Sequence, residues 1–145
     1  MLRYELTHPQ ILPALAAAGH GAQILLADAN YPLSTATAPA AARVHLNLTA
    51  RGPSVTEVLE VIGRAIYIEA AYAMQPDDGG MLEVHEQFRE LLGEAPLAML
   101  PRHAFYAAAR GDDVVLAICC GERRHYANLL LTIAANAADN AAVES

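Results

Sequence analysis

The sequence predicts a single α/β domain with a central β-sheet flanked by helices. Short apolar runs of strand length alternate with longer segments whose apolar residues recur at helical spacing. No segment repeats, no long linker divides the chain, and 145 residues fit one domain. Because 54% of the residues are hydrophobic, the chain can bury a packed core.

The first predicted elements are a helix and a strand. Thr7 begins the helix as its cap, and Gly19 ends it. The apolar run 23–27 is too short for a helix between Gly21 and the following proline, so it is predicted to be a buried strand. Residues 33–42 are small, and we predict a loop that lines or covers a pocket.

The middle of the chain continues this alternation. Residues 43–48 alternate in polarity as a strand does, and residues 53–57 form a capping box that opens a second helix. Gly63 is predicted to end that helix. Residues 66–74 are rich in strand formers, and residues 76–80 form an exposed loop.

The remainder of the chain adds two helices and three strands. Residues 82–92 place their apolar side chains on one helical face, and proline opens a short helix at 101–109. Strands are predicted at 95–100, 114–119 and 129–133. We therefore assign residues 1–133 to the domain and residues 134–145 to a flexible tail.

Composition excludes several classes of partner. A net charge of −7 with nine Lys and Arg residues argues against nucleic acid or an anionic membrane, because both require a basic surface. No apolar run reaches the ~20 residues that span a bilayer, and the N-terminus lacks the pattern of a signal peptide. We expect a cytoplasmic protein with a neutral ligand, and Cys119 and Cys120 as reduced core thiols on opposite faces of a strand.

Motifs for phosphate-loop, dinucleotide, serine-hydrolase and zinc chemistry are missing. The six histidines are scattered, and none pairs with another at the i+3 to i+5 spacing of a local metal site. The sequence therefore predicts no metal site.

His20 is the strongest single candidate for a catalytic residue. It lies between two glycines at a helix-to-strand junction, and an imidazole can donate and accept protons at neutral pH. The alternative is a histidine that caps the carbonyl groups of the preceding helix. The other histidines, including His103 and His125, are predicted to be solvated or packed.

Five polar positions form the rest of the candidate site. Asp28 either binds a ligand hydroxyl or caps the turn that follows it. Arg102 either binds hydroxyls or solvates a helix start, and Glu122 orients one of the arginines 102, 123 or 124 in an ion pair. Tyr126 and Asn128 share one side of an extended backbone, as ligand-binding groups or as an ordinary strand edge.

With these residues, the sequence resembles the ribose pyranase and fucose mutarotase family, also called RbsD/FucU. The resemblance extends to about Leu131. It is carried by Gly19-His20-Gly21, by 28–32 (Asp-Ala-Asn-Tyr-Pro), by Pro53-Ser54-Val55, and by Gly121-Glu122 followed by Tyr126-Ala127-Asn128. In this order and spacing the motifs are specific.

The resemblance implies an isomerase that interconverts anomers or ring forms of a free monosaccharide without a cofactor. The family's proton-donating histidine falls on His20, its substrate-binding aspartate on Asp28, and a further binding position on Arg102. The family's sugar-contacting segment falls on residues 126–128, that is, Tyr126, Ala127 and Asn128. Arginine at position 102 favours the L-fucose branch over the D-ribose branch.

The resemblance also implies assembly. Family members form ring-shaped homo-oligomers, often stacked as decamers, with the site at a subunit boundary. Two alternatives stay open: a non-catalytic sugar-binding ring, and an enzyme of the same fold that acts on another aldose or polyol.

Overall fold

The computed structural model describes residues 1–138 and 141–143, and these form one mixed β-sheet with helices on both faces. The strands are β1 Gln23–Ala27, β2 Ala42–His45, β3 Ile68–Gln75, β4 Leu97–Pro101, β5 Val114–Cys119 and β6 Leu129–Ile133. The helices are α1 Ile11–Ala17, α2 Val55–Ala65, α3 Glu83–Leu92 and α4 Arg102–Ala109. The predicted single α/β domain is confirmed.

The sheet has the order β2-β5-β1-β6-β3-β4. β6 is antiparallel to both of its neighbours, β1 and β3, and the other neighbouring strands are parallel. Strands β1 to β5 therefore run in one direction and end at the same edge of the sheet. The amino end of β6 lies at that edge too, because β6 alone runs the other way.

Most predicted elements are confirmed, and β1, β5 and β6 agree with their predicted bounds. Each is mostly apolar and almost fully buried, a pattern typical of strands covered on both faces. The tail beyond residue 133 has neither helix nor strand where it is described, and its other positions lie outside the described residues. In the described part of the chain, no helix has the length and apolar character needed to cross a membrane.

The helix ends were predicted less well. Helix α1 starts after Gln10 and has no side-chain cap, so the predicted cap at Thr7 is wrong. Helix α2 continues through Gly63 to Ala65, because an exposed glycine weakens a helix without ending it. Ser54 does cap α2, and its Oγ accepts a hydrogen bond of 3.1 Å from the Glu57 backbone N–H.

Successive residues of the central strands enter two different cores. Ile24 and Leu26 pack with helices α1, α2 and α3 on one face, and Leu25 and Ala27 pack with α4 on the other. The adjacent thiols follow the same rule, since Cys120 lies in the first core and Cys119 in the second. Both thiols are free and buried, as predicted.

The small-residue loop between β1 and β2 covers the second core instead of a pocket. Leu33, Ala36 and Ala38 are buried there. The Arg43 and Arg110 side chains donate hydrogen bonds to carbonyl oxygens of this loop. The loop thus forms part of the layer that α4 occupies.

The loop that joins β5 to β6, residues 120–128, is fixed to the opposite layer by an ion pair between the buried Glu122 and the partly exposed Arg124. The Glu122 carboxylate accepts hydrogen bonds from the Arg124 side chain at 2.9 and 3.0 Å and from the Val55 N–H at the start of α2 at 3.1 Å. Arg124 also donates to Gln87 on α3 and to Thr56 on α2. Glu122 therefore orients Arg124, which is one of its three predicted partners.

Gly121 lies against the backbone of a neighbouring turn, with no room for a side chain. A Cβ atom at this position would overlap backbone atoms of Thr49 and Gly52. We expect Gly121→Ala to destabilise the fold by about 1–3 kcal/mol, because the backbone must move to admit the methyl group. Thermal and urea unfolding measure the change.

Gly63→Ala is the matched control, because a Cβ there meets only the Ile68 Cδ1 atom at 4.0 Å. In the interior of helix α2 this substitution should stabilise by about 0.5–1 kcal/mol. Equal effects of the two substitutions would contradict the close packing of Gly121.

Arg124→Leu should make the protein sensitive to acid. Burial alone raises the pKa of Glu122, but the hydrogen bonds and charge of Arg124 outweigh burial and hold that pKa below its usual value. The ionised carboxylate therefore contributes stability at neutral pH that is lost as the pH falls through the lowered pKa. Without Arg124 the pKa rises, and acid unfolding should begin at a higher pH.

The expected loss at neutral pH is about 1–3 kcal/mol, below the ~3–5 kcal/mol typical of fully buried pairs, since 40% of the Arg124 side chain is exposed. The control is Arg89→Leu, whose pair with Glu86 is half exposed and should contribute less than about 0.5 kcal/mol. Acid titrations followed by circular dichroism compare the two variants. An unchanged acid midpoint in Arg124→Leu would contradict the role given to the pair.

Candidate functional site

A polar cavity of about 290 Å³ opens at the edge of the sheet where β1 and β3 end and β6 begins. Ligand sites of α/β proteins commonly lie beyond the carboxyl ends of the strands, and ~300–1,000 Å³ is usual for such sites. The cavity therefore suits a small polar molecule. Its lining residues are Asp28, Asn30, Tyr31, Met74, Arg102, Tyr106, His125, Tyr126 and Asn128.

Asp28 and Asn128 form the floor of this cavity through reciprocal hydrogen bonds. The Asp28 backbone N–H donates to Asn128 Oδ1 at 2.7 Å, and Asn128 Nδ2 donates to Asp28 Oδ2 at 3.2 Å. The other carboxylate oxygen, Oδ1, accepts from the Asn30 backbone N–H at 2.9 Å. Asp28 thus caps the turn, as one of its two predicted roles requires, and it also lines the cavity, whereas its binding of a ligand hydroxyl stays a prediction.

Burial changes the acidity of the Asp28 carboxyl group. Loss of solvent raises its pKa, and this effect exceeds the opposing effect of the hydrogen bonds from Asn30 and Asn128. A carboxylate with a raised pKa is more basic, and it accepts hydrogen bonds more strongly than a solvated one. The Asp28 carboxylate therefore lies at the cavity as a more basic group than a solvated aspartate.

Helix α4 carries Arg102 and Tyr106 to the side of the cavity, one helical turn apart. The helix is oriented by aromatic packing, in which the Tyr31 ring contacts Phe105 and Tyr106 edge to face at 6.2 and 5.5 Å between centroids. Tyr31 is itself fixed, because its hydroxyl donates to the Ala36 carbonyl oxygen at 2.7 Å. Among the described residues, the Arg102 guanidinium group has one ion-pair contact, a long one of 3.7 Å with Asp77.

Tyr126 reaches the cavity through an unusual backbone conformation. Its φ of 60° lies in the left-handed region, which costs an L residue about 1–2 kcal/mol. Its carbonyl oxygen lies 3.0 Å from His85 Nε2 on helix α3. The prediction that Tyr126 and Asn128 share a side of an extended backbone is therefore wrong, although both do line the cavity.

His20 lies away from this cavity. It is exposed before the amino end of β1 and lines a separate groove of about 400 Å³ with Leu15, Tyr67 and Ile133. Asp28 follows the carboxyl end of the same strand, and five strand residues alone extend about 15 Å. Within one protomer the structure does not bring His20 to Asp28, Arg102, Tyr126 or Asn128.

Two further predicted residues lie outside the cavity lining. Ala127 is buried in the core beneath α2 and α3, and its contact with substrate stays a prediction. The Glu122 carboxylate bonds to Arg124 and to the Val55 N–H, and through Arg124 it fixes the loop that carries Tyr126.

The cavity also contains residues that the sequence did not single out. Tyr106 follows Arg102 at i+4, so helical periodicity would have placed both on one face. His125 is exposed and lines the cavity, where its charge lowers the pKa of Asp28 slightly against the larger effect of burial. Met74 comes from the adjacent strand β3, and no local signal indicates it.

The chain is similar to enzymes that act on monosaccharides. It is 32% identical over 137 residues to the fucose mutarotase of Mus musculus, covering 85% of this chain and 86% of that protein. It is 33% identical over 124 residues to D-ribose pyranase 2 of Streptomyces griseus, covering 81% and 85%.

Its fold matches a solved structure of Bacillus subtilis RbsD complexed with D-ribose. The TM-score is 0.82 at 21% identity, covering 94% of this chain and 99% of that chain, which supports the shared fold. The model of the RbsD / FucU transport protein family matches residues 1–135. The chain belongs to the RbsD/FucU family.

Proposed function

We propose that this protein is a mutarotase that interconverts the anomers of a free monosaccharide, with L-fucose as the first candidate. The observation that carries the proposal is the convergence of Asp28, Arg102, Tyr126 and Asn128 on one small polar cavity from three separate segments. A carboxylate, a guanidinium group, a phenol and an amide together suit a ligand that presents several hydroxyl groups. The similarity to fucose mutarotases supports the same assignment.

The chemistry requires only proton transfers. Ring opening breaks the bond between the anomeric carbon and the ring oxygen, with one proton added to that oxygen and one removed from the anomeric hydroxyl. The freed carbonyl group rotates, and the ring closes on either face. The sugar is neither oxidised nor reduced and transfers no group, so the reaction needs no cofactor.

Each site residue has a role in this reaction. His20 donates the proton to the ring oxygen and takes it back on closure, a step worth ~10²–10⁴ in rate. The second proton leaves to water or to Tyr126. Asp28, Arg102 and Asn128 bind the remaining hydroxyl groups, and the segment that holds Tyr126 and Ala127 contacts the sugar.

Because His20 and the cavity lie at opposite ends of β1, the proposed site requires two copies of the chain. We propose a ring-shaped homo-oligomer, a pentamer or a stacked decamer, in which His20 of one protomer completes the cavity of its neighbour. Closed rings arise when one surface of a subunit binds a different surface of the next. A cytoplasmic location remains a prediction.

D-ribose is the alternative substrate, with interconversion of pyranose and furanose forms. The D-ribose pyranase relative supports it, whereas Arg102 favours L-fucose. Saturation-transfer NMR with L-fucose, D-ribose and D-galactose distinguishes these substrates. Binding without exchange of any sugar would instead support a non-catalytic sugar-binding ring.

His20→Ala should bind sugar yet lose most exchange. We expect a decrease of about 10²–10⁴-fold in the exchange rate with affinity changed by less than about threefold, because the imidazole transfers a proton and binds little. The matched control is His45→Ala, since His45 is also exposed but lies outside the cavity lining. Unchanged exchange in His20→Ala would remove this residue from the mechanism.

Mixed oligomers test the shared site. His20→Ala and Asp28→Asn chains are each expected to be nearly inactive, but random 1:1 mixing should restore about a quarter of wild-type exchange, because a quarter of the boundaries then combine an intact His20 with an intact Asp28. Co-expression with two different tags yields the mixed rings. Mixing His20→Ala with the double variant His20→Ala/Asp28→Asn provides the control, since no boundary is then complete. Mixed rings without recovered exchange would contradict a site built from two protomers.

A further inference from the structure

His85 is fully buried on helix α3 and has a partner at each ring nitrogen. Nδ1 accepts a hydrogen bond of 3.0 Å from the Leu82 backbone N–H, and Nε2 lies 3.0 Å from the Tyr126 carbonyl oxygen. The Leu82 N–H can only donate, and the carbonyl oxygen can only accept. The geometry therefore requires the neutral ring with its proton on Nε2.

Helix capping alone does not account for a histidine at this position. His85 is the third residue of α3, where a glutamate or glutamine side chain usually accepts from the backbone N–H of the N-cap residue. A carboxylate would satisfy the Leu82 N–H equally well. It could not donate to the Tyr126 carbonyl oxygen, whereas an imidazole carries an acceptor and a donor on one rigid ring.

The hydrogen bond from His85 is made to Tyr126, a cavity residue with an unusual backbone conformation. Tyr126 is the one non-glycine residue with positive φ among the described residues, and its side chain lines the cavity beside Asp28 and Asn128. A donor fixed in the core restrains the direction of the Tyr126 carbonyl group. The backbone conformation of Tyr126 also sets the direction of its Cα–Cβ bond, from which the phenol extends.

We propose that His85 is a positioning residue, which holds the Tyr126 side chain at the cavity by donating a hydrogen bond to the Tyr126 carbonyl oxygen. The proposal rests on the mutarotase function proposed for that cavity. His85 itself is buried and lies outside the cavity lining, so it acts on the sugar only through Tyr126.

Two amide variants separate the cap from the positioning contact. In His85→Asn the shorter side chain can still accept from the Leu82 N–H but does not reach Tyr126. In His85→Gln the amide offers an oxygen acceptor and a nitrogen donor at nearly the imidazole spacing. We expect His85→Asn to lower sugar exchange about 10–100-fold and His85→Gln to retain it within about threefold. Similar melting temperatures of the two variants would exclude a difference in folding.

A double-mutant cycle tests whether the effect passes through Tyr126. In a Tyr126→Phe background, His85→Asn should lower the exchange rate by less than about a further twofold, since the hydroxyl group that His85 helps to position is already absent. Long-range ¹H–¹⁵N correlation spectra of the wild type should show the Nε2–H tautomer of His85. The proposal is overturned by an Nδ1–H tautomer, by additive losses, or by His85→Gln losing as much exchange as His85→Asn.

These outcomes are distinct from failure of the proposed function. If the wild type exchanges none of the candidate sugars, the mutarotase assignment is refuted. The hydrogen bond from His85 to Tyr126 is then tested by the tautomer of His85 alone. Exchange by the wild type that His85→Asn leaves unchanged would refute only the role of His85.

Discussion

The reciprocal hydrogen bonds between Asp28 and Asn128 are the contact on which the cavity depends. They form because β6 runs antiparallel between β1 and β3, with Leu129 paired to Leu26. The residue that follows β1 therefore lies beside the residue that precedes β6. Once paired, the two side chains satisfy each other's polar atoms in a buried place, where an unpaired polar group would cost about 1–3 kcal/mol.

Both faces of the sheet contribute to positioning this edge. On one face, helices α2 and α3 hold the loop between β5 and β6 through Glu122, Arg124 and His85. On the other face, Tyr31 packs against α4 and so places Arg102 and Tyr106. The cavity-lining groups thus lie on two loops and at the start of a helix, but their supports lie in the two cores. Support from packed elements holds these groups in fixed positions relative to one another.

The sequence indicated Asp28, Arg102, Tyr126 and Asn128 because polar residues stand where apolar runs end. That pattern indicates which residues lie just beyond the core, and parallel strands bring such residues to one edge of the sheet. It does not report backbone conformation. The left-handed φ of Tyr126 was therefore missed, since i and i+2 alternation holds only for extended chain. His125 was predicted to be solvated or packed, and its place at the cavity depends on that same turn.

By itself, the sequence determined the strands, because a short apolar run bounded by polar or turn residues is a local property of the chain. It also determined the family, through motifs whose order and spacing are specific. Only the tertiary structure decided the order of the strands, and with it which chain ends meet. Strand pairing joins residues a hundred positions apart, as it does Asp28 and Asn128, and no local pattern encodes such a distance. The sequence placed His20 and Asp28 at opposite ends of one predicted strand, but only the tertiary structure shows that the cavity forms at the Asp28 end.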